Sequence, residues 1–221
     1  MKLGINIRVM GEQSSPAIIR DLLLNAEQSG VESAWIVDHI AIPPDDAEGS
    51  GGRYLDPLTT LAWMAAQTES IKIGTSVLIL PYRSQLPTAK AIATIQELSG
   101  DRLLLGVGVG WMKPEFDALG VDMRLRGRLT DEMLAFLHQC FDNEVVTANG
   151  QAFLFKPRPS RPSLLIGGAA PHAIERAIRY GDGWLPMGRI EKLAPLIADY
   201  HARAEEAGVP HEVVTFAALP D

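Results

Sequence analysis

Short apolar runs alternate with longer stretches of helical period along the whole chain. The runs Leu3–Ile7, Ser33–Val37, Ile71–Leu80, Arg102–Val109, Ser163–Ile166, Gly183–Pro186 and Glu212–Ala217 are too short and too continuously apolar for amphipathic helices. They predict strands buried on both faces. The helices between them carry start and stop signals. Ser15-Pro16 opens the first and Gly30 ends it; Asp56-Pro57 opens the second. Pro87 opens the third, with Ile92, Ile95 and Leu98 on one face and Gly100 behind them. Leu129, Met133, Phe136 and Cys140 form the apolar stripe of the fourth. The fifth runs from Pro171 to Gly181, and the sixth carries Ile190, Leu193, Leu196, Ile197 and Tyr200 before Gly208 and Pro210. Strict βα alternation predicts a parallel sheet with right-handed crossovers. A doubly wound nucleotide fold would show a glycine-rich fingerprint after the first strand, and Arg8-Val9-Met10-Gly11-Glu12 has none. The expectation is therefore a TIM-type (β/α)8 barrel, truncated after strand seven, because a closed barrel has eight strands.

Two stretches break the alternation. Ile40–Arg53 is rich in Pro, Gly and Asp and is either a lid or a plain surface loop. Within Glu144–Pro162, Val145-Val146 and Phe153-Leu154-Phe155 flank Asn149-Gly150, a strong hairpin turn. Residues 1–221 are thus read as one barrel domain with a small hairpin inserted at about 144–162.

In such barrels the chemistry sits at the C-terminal ends of the strands. The second strand ends in Asp38-His39, where an aspartate can fix a histidine's tautomer and the histidine can exchange a proton near neutral pH. Alternating Gly106, Gly108 and Gly110 leave one face of the fourth strand bare, for a ligand or for another chain segment. Gly167-Gly168-Ala169 before a helix offers backbone N–H groups to a phosphate. His138, His172, His201 and His211 lack metal-ligand spacing, and no metal site is expected. Nucleophile elbows and Walker-type loops are absent from the sequence. One proton-transfer residue beside glycine-lined walls suits a site where a cofactor does the hard chemistry.

The formal charge of −7 argues against general nucleic-acid binding. No apolar run approaches the roughly 20 residues of a membrane span. The single cysteine, Cys140, suits a reducing cytoplasm.

Several motifs in order resemble the luciferase-like monooxygenase superfamily, and within it the branch that uses coenzyme F420. They are Trp35 through Ile40, Ile71 through Val77, Leu98 through Arg102, Gly106 through Trp111 with Glu115-Phe116, Arg126 through Glu132, Ile166 through Gly168, and Gly181 through Pro186. The resemblance implies a luciferase-like barrel that binds a flavin-type ring at its C-terminal face. It places His39 beside the ring, a non-prolyl cis peptide at Ser76-Val77 behind it, and Gly167, Gly168 and Ala169 at the coenzyme phosphate. Gly108 belongs to the same wall, and Asp38 is expected to orient His39. Val109 stands where deazaflavin sugar-phosphate dehydrogenases carry an acid, so oxidation of sugar phosphates is not implied. Arg83, Lys113, Arg158 and Arg161 are expected to offer a basic path to the acidic coenzyme tail. The implied activity is hydride transfer between F420 and a small organic substrate. An FMN-dependent monooxygenase is the first alternative, and a cofactor-free barrel acting as a binding partner is the second. Open edges on the first and seventh strands predict a homodimer.

Overall fold

The computed structural model describes residues 2–216. The main sheet has seven strands, all parallel, in the order β1 (Gly4–Asn6), β2 (Ser33–Ile36), β3 (Lys72–Ile79), β4 (Leu103–Gly108), β7 (Ser163–Gly167), β8 (Gly183–Leu185) and β9 (Glu212–Val213). Each strand lies beside the next one in sequence, apart from the intervening hairpin. This is the order of a barrel and not of a sheet wound both ways from its centre. The sheet curls into a half-barrel, and β1 and β9 do not pair with each other among the described residues. The expected seventh strand is shorter than predicted, and its last residue, Ala217, lies outside the described residues.

The helices are α1 (Pro16–Gln28), α2 (Pro57–Gln67), α3 (Gln85–Leu98), α4 (Lys113–Ala118), α5 (Arg126–Asp142), α6 (His172–Tyr180) and α7 (Ile190–Ala207). Ser15 Oγ accepts from the Ile18 N–H and the Asp56 carboxylate from the Thr59 N–H, so both predicted caps form. α3 begins two residues before Pro87, which sits within the first turn, where its missing N–H has no partner to lose. Leu98 is 66 % exposed and does not share the buried face of Ile92 and Ile95. Two steps of three residues rotate backward by about 120° around a helix, which carries Leu98 off that face.

Two layers of apolar side chains result. Outside the sheet, Ile7, Ile36, Ile73, Leu105 and Leu164 meet Leu23, Leu61, Met64, Ile92 and Leu134 of the helices. On the other face Trp35, Leu165 and Leu185 pack with Val77, Leu104 and Val214. The hairpin forms between α5 and β7 as β5 (Val145–Ala148) against β6 (Gln151–Leu154). Asn149 and Gly150 take φ of 50° and 77°, the left-handed pair that a tight hairpin requires.

The bare face of β4 is filled by the chain itself. A Cβ on Gly106 would lie 2.0 Å from the Thr75 carbonyl oxygen, where the β3–β4 register shifts between Thr75 and Leu78. Gly106→Ala is expected to destabilise the fold by about 3 kcal/mol, because the overlap is with backbone and no rotamer change relieves it. Urea unfolding of the variant checks this, and a midpoint equal to the parent's would refute the packing role.

Candidate active site

β2 hands the chain to Asp38 and His39, and successive residues of an extended segment point to opposite sides. The two side chains therefore separate. Asp38 is buried, and its carboxylate accepts from the Ile79 N–H at 2.8 Å and from Arg83 at 2.6 and 2.9 Å. Burial pushes the Asp38 carboxyl up, while Arg83 and the Ile79 N–H draw it back. The expected Asp38–His39 contact is not formed; Asp38 ties the end of β2 to the turn after β3. Asp38→Ala is accordingly expected to cost about 3 kcal/mol of stability, because it leaves Arg83 only the Ile79 carbonyl at 3.2 Å and a looser contact with Asp56 at 3.5 Å. Thermal melts of the variant test it: unchanged stability with reduced turnover would return Asp38 to the catalytic role.

The partner of His39 comes from α4, a helix of six residues that hydrophobic periodicity did not reveal. Its Glu115 is fully buried. Oε2 lies 2.9 Å from His39 Nδ1 and accepts from the Tyr82 hydroxyl at 3.0 Å. Oε1 accepts from the Ile40 and Ala41 N–H groups at 2.6 and 3.0 Å. Burial alone would raise the Glu115 carboxyl, but the donors on Ala41, Ile40 and His39 hold it below its ordinary value. Burial and the Glu115 charge push the Tyr82 phenol up, so Tyr82 remains a donor. With Nδ1–H aimed at a carboxylate, His39 presents Nε2 as its reactive nitrogen. The ring stands edge-on to Tyr54 at 4.9 Å and to Trp111 at 6.2 Å, and Trp111 is 69 % exposed.

The Ser76-Val77 peptide is cis. A Cβ on Gly108 or on Gly167 would fall 2.6 Å from the Val77 methyl groups. Val77 thus fills the space that these glycines leave, and Gly108 serves that packing. Ser76 Oγ is the one buried side-chain polar atom without a hydrogen bond among the described residues. Ser76, Val77, Gly108 and Gly167 are thereby brought together at the C-terminal ends of β3, β4 and β7. Gly168 and Ala169 follow as an exposed turn, with Gly168 at φ 128° and its carbonyl accepting from Trp184 Nε1 at 3.0 Å. The Gly168 and Ala169 N–H groups donate to no acceptor among the described residues.

The expected basic path does not assemble. Arg83 is bound to Asp38, and Lys113 pairs with Asp117 at 2.6 Å. Arg161 grips Asp182 through two bonds of 2.8 Å. Arg158 and Arg161 precede β7, so they belong to the opposite end of the sheet. The Ile40–Arg53 loop is tied down: Arg53 donates to Ser14 Oγ at 2.8 Å, and Met10 bridges to Tyr54. No helix among the described residues is long and apolar enough to cross a membrane.

The sequence pattern of the luciferase-like monooxygenase family matches residues 1–220. The chain belongs to the luciferase-like monooxygenase family. Within it, the chain is 32 % identical over 193 residues to an F420-dependent hydroxymycolic acid dehydrogenase of Mycobacterium tuberculosis, covering 83 % of this chain and 52 % of that protein. It is 31 % identical over 195 residues to an F420-dependent glucose-6-phosphate dehydrogenase of Kineococcus radiotolerans, covering 84 % of this chain and 56 % of that one. The chain spans about half the length of these curated relatives. Solved structures share the fold. Monooxygenase RslO1 from Streptomyces bottropensis superposes with a TM-score of 0.81 at 24 % identity, over 97 % of this chain and 70 % of that one. An F420-dependent secondary alcohol dehydrogenase gives 0.78 at 18 % identity, over 97 % and 68 %.

Proposed function

We propose that this luciferase-like chain takes part in hydride transfer between coenzyme F420 and a small organic substrate, with His39 as the proton-transfer residue. The observation that carries the chemistry is the His39–Glu115 pair at the C-terminal end of the sheet, with Nε2 left without a partner among the described residues. The F420-dependent relatives, aligned over more than four-fifths of the chain, favour the deazaflavin.

The residues present fit such a coenzyme. Ser76 Oγ is a buried hydroxyl with an unmet hydrogen bond at the cis bulge, suited to a polar ring edge. The Gly168 and Ala169 N–H groups suit a phosphate. When bound, the deazaflavin supplies the hydride acceptor or donor. His39 then handles the proton: Nε2 takes it from a substrate hydroxyl during oxidation and returns it to the oxygen during carbonyl reduction. Glu115 stabilises the imidazolium formed in the first case. Tyr54 and Trp111 stand edge-on beside that ring.

A flavin-dependent monooxygenase is the competing reading, since an FMN-bound camphane monooxygenase shares the fold with a TM-score of 0.75. Parallel fluorescence titrations with F420 and FMN separate the two. F420 is expected to bind at least about tenfold more tightly, a difference of about 1.4 kcal/mol. Tighter FMN binding would transfer the chain to the monooxygenases, and binding of neither would leave it a cofactor-free partner.

A further inference from the structure

We infer that the cavity at the C-terminal end of β1 binds the carboxylate of a small organic acid through Arg8. The cavity is a half-open cleft of about 380 Å³ lined by Arg8, Glu12, Gln13 and the glycines Gly11, Gly49 and Gly51. Strand geometry aims Arg8. Ile7 and Val9 are fully buried against the helices, so the residue between them faces the other way. Asn6 lies in register with Trp35, and the Ile7 N–H donates to the Trp35 carbonyl, so Arg8 follows on beside the end of β2, the strand that leads to His39.

The Arg8 side chain is held without being neutralised. Nη2 donates to the Gly49 carbonyl at 2.9 Å. Its other N–H groups meet no acceptor, and Arg8 makes no ion pair, among the described residues. The contrast is with Arg83, Arg161 and Arg176, each paired with an aspartate. An exposed guanidinium fixed at one nitrogen presents the rest of a planar fork, which matches a carboxylate through two parallel bonds. Gly49 and Gly51 adopt φ of 74° and 59° and bring bare backbone to the cavity wall. Gln13 is a further polar residue of the lining.

Glu12 sets the charge limit. It belongs to the same lining, so the cavity carries one positive and one negative residue, and a doubly charged anion is disfavoured there more than a singly charged one. The cavity therefore favours a monocarboxylate over a phosphate dianion.

Calorimetric titration of the protein without coenzyme tests this, using butyrate, butyramide and inorganic phosphate as probes. Butyrate is expected to bind at least about tenfold more tightly than the neutral amide, from one charge-assisted pair. The preference should shrink as salt rises. Arg8→Gln should abolish it with the fold retained, since the one bond lost, to the Gly49 carbonyl, is exposed. Arg8→Lys should retain part of it, and Glu12→Gln should strengthen phosphate binding. Equal binding of butyrate and butyramide, or full butyrate affinity in Arg8→Gln, would overturn the inference. Phosphate binding more tightly than butyrate would overturn the carboxylate assignment. Because no coenzyme is present, none of these outcomes bears on the F420 reading.

Discussion

His39→Ala is expected to lower kcat by about a thousandfold, within the range that a positioned acid–base contributes. The dissociation constant of the coenzyme should change by less than about threefold, because the turn at Gly168 and Ala169, proposed above to hold the phosphate, is untouched. The split between the two constants is the informative part. Removing the imidazole also deletes one of the four hydrogen-bond partners of Glu115, so some loss of stability accompanies it. The remaining three donors keep the carboxylate satisfied, and the site should stay folded. Stopped-flow reduction of F420 at saturating substrate isolates the chemical step. A kcat within tenfold of the parent's would show His39 to be a packed histidine held between Tyr54 and Trp111, and the proton would have to leave by another route.

Much of the frame could be read from the chain because its signals are local. Ser15-Pro16 and Asp56-Pro57 cap helices through contacts only three residues long, and Asn149-Gly150 makes its turn alone. The order of strand and helix then leaves few ways to build the sheet. The site was legible only in part, because its decisive contacts span long separations. Asp38 was read with its neighbour His39, yet its partner is Arg83, 45 residues on. Alternation along the strand end forbids the neighbour contact and was itself a usable warning. Glu115 lies 76 residues from His39 on a helix too short to show a period. The remaining local trace was Pro114 before a carboxylate and Phe116, a helix start followed by a buried face. The glycines of β4 illustrate a different limit. Their spacing announced a close approach, and packing alone could show that Thr75 and Val77 are what approaches.

Glu115→Gln separates positioning from folding. The amide oxygen can still accept from the Ile40 and Ala41 N–H groups, so the segment after β2 stays anchored. The amide nitrogen then faces His39 Nδ1 and donates to it, which forces the proton onto Nε2. In that tautomer Nε2 can no longer take a proton from a substrate hydroxyl. Oxidation is expected to fall by about a hundredfold in kcat with KM little changed, following the logic of a triad whose orienting carboxylate becomes an amide. Glu115→Ala should instead lose about 3 kcal/mol of stability by leaving buried donors unpaired. The pH dependence has a definite sign. The folded Glu115 pKa is depressed below its ordinary 4.5, so its contribution to stability is complete above that value and is lost as pH falls through the depressed one. Glu115→Gln should flatten that acid limb. Equal falls in the parent and the variant would mean that Glu115 does not carry the acid sensitivity. Unchanged oxidation in the amide variant would separate His39 from Glu115 in the mechanism.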